Sequence, residues 1–241
     1  MKKFLFAVCA LAMCVPALAQ FGQRAPQPIT NGMKDTYKNY FMIGVAVNQR
    51  NISDADQIAL IKREFNSITA ENDMKPQPTE PNKGEFNWEN ADKIANFCRQ
   101  NGIKLRGHCL MWHSQVGRWI YQDEKGNLLP KEEFYANMKH HIQAVVNRYK
   151  DVVYAWDVVN EAVADSPVRP GQPELRQSPM WQIAGEEFIY KAFEYAHEAD
   201  PNALLFYNDY NECDPGKSER IAGLITRMKA AGVPVHGIGM Q

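Results

Sequence analysis

Cysteine is scarce in this chain, neither sign of charge is in appreciable excess, and no long hydrophobic run occurs. Each shortage removes a class of protein. Past residue 19 only Cys98, Cys109 and Cys213 remain, an odd count with no close spacing. That pattern fits neither a disulfide scaffold nor a zinc ribbon. It leaves room for one bridge at most and reads more simply as small buried apolar side chains. A formal net charge of -1 gives no electrostatic reason to expect nucleic acid or an anionic membrane surface as partner. After the first twenty residues no segment is apolar for the roughly 20 residues that a bilayer span takes. There is no HExxH pattern, no short-period repeat and no low-complexity tract.

What is present begins with a targeting pattern. Lys2 and Lys3 precede a short apolar core from Phe4 to Val15, and Ala17-Leu18-Ala19 supplies small residues for cleavage. This predicts a secretory signal over residues 1–19 and a secreted protein, periplasmic or extracellular, with no membrane association after cleavage. Cys14 raises a lipid anchor as the alternative, but Met13 before it is bulkier than that processing takes. Residues 20–30 are polar and carry Pro26 and Pro28, a leader rather than a folded element. Residues 31–241 suffice for one large domain with a substantial core. At 45% hydrophobic and 23% charged, the composition is ordinary for a globular enzyme. Aromatics at 11% are compatible with stacking on sugar rings and equally with filling a core.

Short apolar runs then alternate with helical spacing. "FMIGVAV" from Phe41, "FNSIT" from Phe65, "IKLRGHCLMW" from Ile103, "VVYAWDVV" from Val152, "ALLFYN" from Ala203 and "VHGIGM" from Val235 predict buried strands. Between them, "DADQIALIKREF", "NADKIANFCRQNG", "EEFYANMKHHIQAVVNRYK", "EEFIYKAFEYAHEADP" and "SERIAGLITRMKAAG" repeat apolar residues at helical intervals. Strands alternating with helices imply an α/β fold with a covered parallel sheet. No Gly-rich phosphate loop follows the first strand, so a dinucleotide fold has no support. Polar residues instead cluster just past successive strand ends, the habit of a (β/α)₈ TIM barrel, here with about six of its eight strands.

Asn160-Glu161 ends the fourth run. A carboxyl backed by an apolar strand is partly desolvated, which suits it to act as a general acid. The adjacent amide hydrogen-bonds a hydroxyl without competing for the proton. The plain structural alternative is a helix start with an Asn cap. "SITAENDMKPQPTEP" places Glu71, Asn72 and Lys75 on one loop: an acceptor, an amide and a cation suited to several hydroxyls. "GHCLMWHSQ" sets His108, Trp112, His113 and Gln115 around a strand end. The two histidines are an odd number apart and diverge on a strand, so no metal site is read there. "YNDYNECDPG" suggests a calcium loop, but Cys213 falls where an oxygen ligand is needed. No cofactor is expected.

Together "TAENDMKP", "GHCLMWHSQ", "WDVVNEA", "FYNDYNE" and "HGIGMQ" resemble, in order and spacing, glycoside hydrolase family 10, the endo-1,4-β-xylanases. The resemblance runs from about Gly44 to Gln241. It implies a retaining, two-carboxylate enzyme acting on xylan and xylo-oligosaccharides, monomeric when complete. Glu161 would be the acid/base and Asn160 would hold the 2-hydroxyl of the sugar at the cleavage point. Glu71, Asn72, Lys75, His108, Trp112 and Gln115 would bind xylosyl units on the non-reducing side. Asn208 and Tyr210 would line the site less directly, and Gln241 would lie near the acid/base. Arg176, Ser178 and Trp181 match a family stretch read as mostly structural. Asp157, within a strand, needs a partner if buried, and His113 is the expected one.

A retaining glycosidase needs two carboxyl groups about 5–5.5 Å apart. In the family the second is a Glu on the seventh strand, whereas this sequence ends with the sixth. Glu71 is engaged in sugar binding and Glu212 has no counterpart as nucleophile. The expectation is therefore a partial family 10 domain that, expressed alone, is unstable or aggregates and hydrolyses nothing. The alternatives are a related (β/α)₈ β-glycanase and a non-catalytic xylan-binding form.

Overall fold

The structure, a computed structural model, describes residues 31–165 and 171–241. The predicted signal and leader, residues 1–19 and 20–30, lie outside the described residues, and the export reading with them. Six strands form where the apolar runs predicted them: β1 (Gly44–Val47), β2 (Ser67–Ala70), β3 (Lys104–Trp112), β4 (Val153–Asn160), β5 (Leu204–Asp209) and β6 (Gly237–Met240). They make one sheet in chain order, every neighbouring pair parallel. Parallel neighbours need a crossover, and each crossover carries a helix.

Those helices are α2 (Ala55–Glu64), α4 (Glu89–Asn101), α5 (Lys131–Tyr149), α7 (Glu187–Ala199) and α8 (Pro215–Ala230). Their ends follow local chemistry. Asp54 and Asp214 cap α2 and α8 by accepting from Gln57 N and Lys217 N. Gly102 stops α4 in the left-handed conformation at φ 63°. Three shorter helices had no counterpart in the periodicity: α1 (Met33–Thr36), α3 (Pro76–Thr79) and α6 (Pro179–Ala184). The architecture is that of a (β/α)₈ TIM barrel, represented by six consecutive strands.

Register separates the two faces of the sheet. Gly107, Trp156 and Leu205 are partners on the helix-covered face, where Trp156 and Leu205 are fully buried. There they join Ile94, Phe134, Ile142 and Phe193 of the helices in one apolar core. His108, Asp157 and Phe206 are partners on the other face, one step along. Cys98 and Cys109 are buried, as expected, but Cys213 is exposed, and all three are free thiols. Burial pushes the Cys98 thiol up to about 12.

The expected Asp157–His113 pair does not form. Asp157 accepts from Arg106 Nε at 3.1 Å and meets His108 Nδ1 at 2.9 Å. His113 Nδ1 is buried with no hydrogen-bond partner among the described residues. The reason is register: His108 lies opposite Asp157 on the neighbouring strand. His113 lies five residues further on, past the end of β3, a rise of roughly 17 Å in extended chain.

Candidate active site

The inner face of the sheet is polar where the outer face is apolar. Residues from all six strands border a cavity of about 640 Å³. Five predicted site residues line it: Glu71, Lys75, His108, Asn208 and Gln241, together with Arg106 and Asp157. Arg106 was not foreseen as a site residue. The available signal was its place two residues before His108, on the same face of β3. It neutralises the buried Asp157 and stacks on Phe206, with its guanidinium carbon 4.6 Å from the ring centroid.

Lys75 draws three predicted residues together. Its Nζ donates to Asn72 Oδ1 at 2.8 Å and lies 4.9 Å from the Trp112 ring centroid. Glu71 is exposed and accepts from Asn48 Nδ2 at 3.0 Å. Gln115 stands apart: it adopts φ 40° and lines a neighbouring cleft of about 440 Å³ with Gln77, Arg118 and Tyr121.

Glu161 follows the last residue of β4. Its carboxylate accepts from Trp112 Nε1 at 2.9 Å and from Gln241 Nε2 at 3.2 Å. Asn160 is buried, and its Oδ1 accepts from both Asn208 Nδ2 and Gln241 Nε2, at 2.8 and 3.0 Å. With that oxygen occupied, the amide has Nδ2 left to donate outward. A half-buried carboxylate and an amide donor therefore stand side by side at the rim of a polar cavity. That pairing is suited to proton transfer beside a bound hydroxyl.

Tyr210 is elsewhere. Its hydroxyl accepts from Arg176 Nη2 at 2.6 Å and donates to Asp165 Oδ2 at 2.7 Å. Arg176 reaches the site by another route, since its Nε donates to the carbonyl of Glu161 at 2.9 Å. Reading its stretch as structural missed this contact, and no spacing in the sequence signals it. His113 is held below its ordinary value, first by burial and then by the Arg176 charge. Among the described residues no group of three or more His, Cys, Asp or Glu side chains is arranged to hold a metal ion.

Successive strand ends delivering polar side chains to one cavity, with a carboxylate at its rim, form the face on which a (β/α)₈ barrel carries its chemistry. The chain belongs to glycosyl hydrolase family 10, whose profile it matches over residues 32–241. It is 53% identical to an endo-1,4-beta-xylanase/feruloyl esterase of Xylanibacter ruminicola, across all of this chain and 34% of the relative. It is 43% identical to a beta-1,4-xylanase of Dictyoglomus thermophilum, across all of this chain and 65% of that protein. Among solved structures, a psychrophilic family 10 endo-beta-1,4-xylanase superposes with a TM-score of 0.87 at 80% identity. That match covers 88% of this chain and 65% of the other. The chain thus spans about a third of the first of these relatives and under two thirds of the others.

Proposed function

We propose that this chain is the acid/base-bearing part of a retaining endo-1,4-β-xylanase that hydrolyses internal bonds of xylan by double displacement. The observation that carries the reading is the Glu161 carboxylate, tethered by Trp112 and Gln241 with the Asn160 amide beside it. Glu161 protonates the departing glycosidic oxygen and then takes a proton from the incoming water. Asn160 donates to the 2-hydroxyl at the cleavage point. Glu71, Asn72, Lys75, His108, Trp112 and Gln115 bind xylosyl units on the non-reducing side, and Asn208 and Gln241 orient Asn160. Double displacement also needs a second carboxylate, about 5–5.5 Å from the first, as nucleophile. The protein acts after export directed by residues 1–19. The names of the xylanase relatives support the substrate, and a 37% identical structure was solved in complex with xylotriose.

The test is made in the full-length protein on purified xylan. Proton NMR is expected to show the β-anomer of the product first. Glu161→Ala is expected to lower kcat on xylan by about 10²–10⁴-fold, the usual contribution of acid/base catalysis. An unchanged kcat in that variant, or the α-anomer appearing first, would sink the reading.

A further inference from the structure

Glu161 has φ 56°, in the left-handed region that side-chain-bearing residues rarely adopt. Such a conformation persists only where its surroundings over-determine it, and here they do. The Glu161 N–H donates to Asn208 O at 2.8 Å and its carbonyl accepts from Arg176 Nε. The next two N–H groups, of Ala162 and Val163, both donate to the Tyr207 hydroxyl, each at 2.9 Å. The Ala162 carbonyl accepts from Arg176 N, and the Ala164 N–H donates to Glu174 O, both at 2.8 Å.

Behind these contacts lies an ionic chain, buried at Tyr207, Asp209 and Lys217 and open to solvent at Asp165. Tyr207 donates its proton to Asp209 Oδ2, which leaves the phenol oxygen's lone pairs for the two backbone N–H groups. Asp209 Oδ1 pairs with Lys217 Nζ at 2.8 Å, and both side chains are almost fully buried. Lys217 Nζ also donates to Asp165 Oδ1 at 2.8 Å, and Asp165 Oδ2 accepts from Arg176 Nη2 at the same distance. The chain therefore returns to the residue that holds the Glu161 carbonyl. Charge-assisted hydrogen bonds are the strong ones, and a fully satisfied network is rigid.

We infer that Arg176, with Tyr207 behind it, is a positioning residue for proton transfer by Glu161. Neither side chain reaches the carboxylate; they fix the backbone that aims it. This rests on the reading of Glu161 as the acid/base. A displacement of about 1 Å at a reacting group can cost 10²-fold in rate, so loosening the segment should impair protonation specifically.

The experiment measures kcat/KM, which reports the glycosylation step, for aryl β-xylobiosides in the full-length protein. Leaving groups run from dinitrophenol, which departs without a proton, to phenol, which needs one. Arg176→Lys keeps the charge beside Asp165 but cannot serve both Asp165 and the Glu161 carbonyl. It and Tyr207→Phe are expected to lose about 10²-fold on the phenyl substrate and little on the dinitrophenyl one. A merely structural role lowers every substrate by the same factor, and that outcome, or no loss at all, overturns the proposal. Melting curves identify any variant that fails to fold, and Arg176→Lys is the milder of the two. Glu161→Ala is the reference. If it too lacks leaving-group dependence, the acid/base reading falls and takes this inference with it. If it shows the dependence and the other variants do not, only the positioning role falls.

Discussion

Asp165 takes two cations and a phenol on one carboxylate. Burial pushes its carboxyl up, but hydrogen bonds from Lys217, Tyr210 and Arg176 outweigh that and hold it down at about 2. The ordinary value is 3.8. A group depressed in the folded state contributes stability that is fully present above its unfolded value. That stability is lost as pH falls through the folded one. The gap in stability between the wild type and Asp165→Asn should therefore be constant from about pH 7 to about pH 4 and close between about pH 4 and pH 2. With 42% of the Asp165 side chain exposed, screening keeps that gap on the order of 1 kcal/mol. Urea melts across this range check it, and a gap unchanged near pH 2 counts against the assignment. None of these partners was legible in the sequence, where Asp165, Arg176 and Lys217 are separate polar residues in unrelated segments. Asn160 and Glu161 were legible because a polar pair ending an apolar strand is a local pattern. The partner of Asp157 was not, because a cross-strand partner depends on register, which one sequence does not display.

At the scale of elements, long periodic segments were legible and single turns were not. The five crossover helices repeat apolar residues over two or more turns, and the six strands are apolar runs. Helices α3 and α6 are too short for any period and begin with Pro76 and Pro179 at their first positions. Proline is tolerated there because its missing N–H has no intrahelical partner to lose, yet in a sequence it reads as a loop. Packing between strands was equally hidden. A Cβ on Gly107 would fall 2.1 Å from a ring carbon of Trp156 on the adjacent strand. Trp156 is fully buried, so the ring has no solvent to move into. Gly107→Ala should therefore destabilise the fold by about 3 kcal/mol, the upper range for overpacking a tight core. Guanidinium denaturation followed by tryptophan fluorescence measures this. An alanine variant as stable as the wild type would show that the β3–β4 contact yields more readily than its geometry implies.

At the scale of the whole molecule, what matters is where the sheet is open. A closed barrel has no edge strands, whereas among the described residues β1 and β6 each pair on one side only. Apolar side chains stand exposed beside both: Phe41 and Met42 just before β1, and Ile238 and Met240 on β6. Unpaired backbone next to exposed apolar surface is a template for strand addition by another chain. A polypeptide limited to residues 31–241 should therefore fold its helix-covered core yet self-associate through these edges. Sedimentation velocity is expected to show species growing with concentration, and a hydrophobic dye should bind at the same time. Charged residues on an edge oppose pairing because they must be desolvated when a second strand docks. Phe41→Lys combined with Ile238→Lys should thus shift the distribution back towards monomer without altering the far-UV circular dichroism. A wild-type segment that stays monomeric at every concentration would show that its edges are already protected by local twist or by the loops around them.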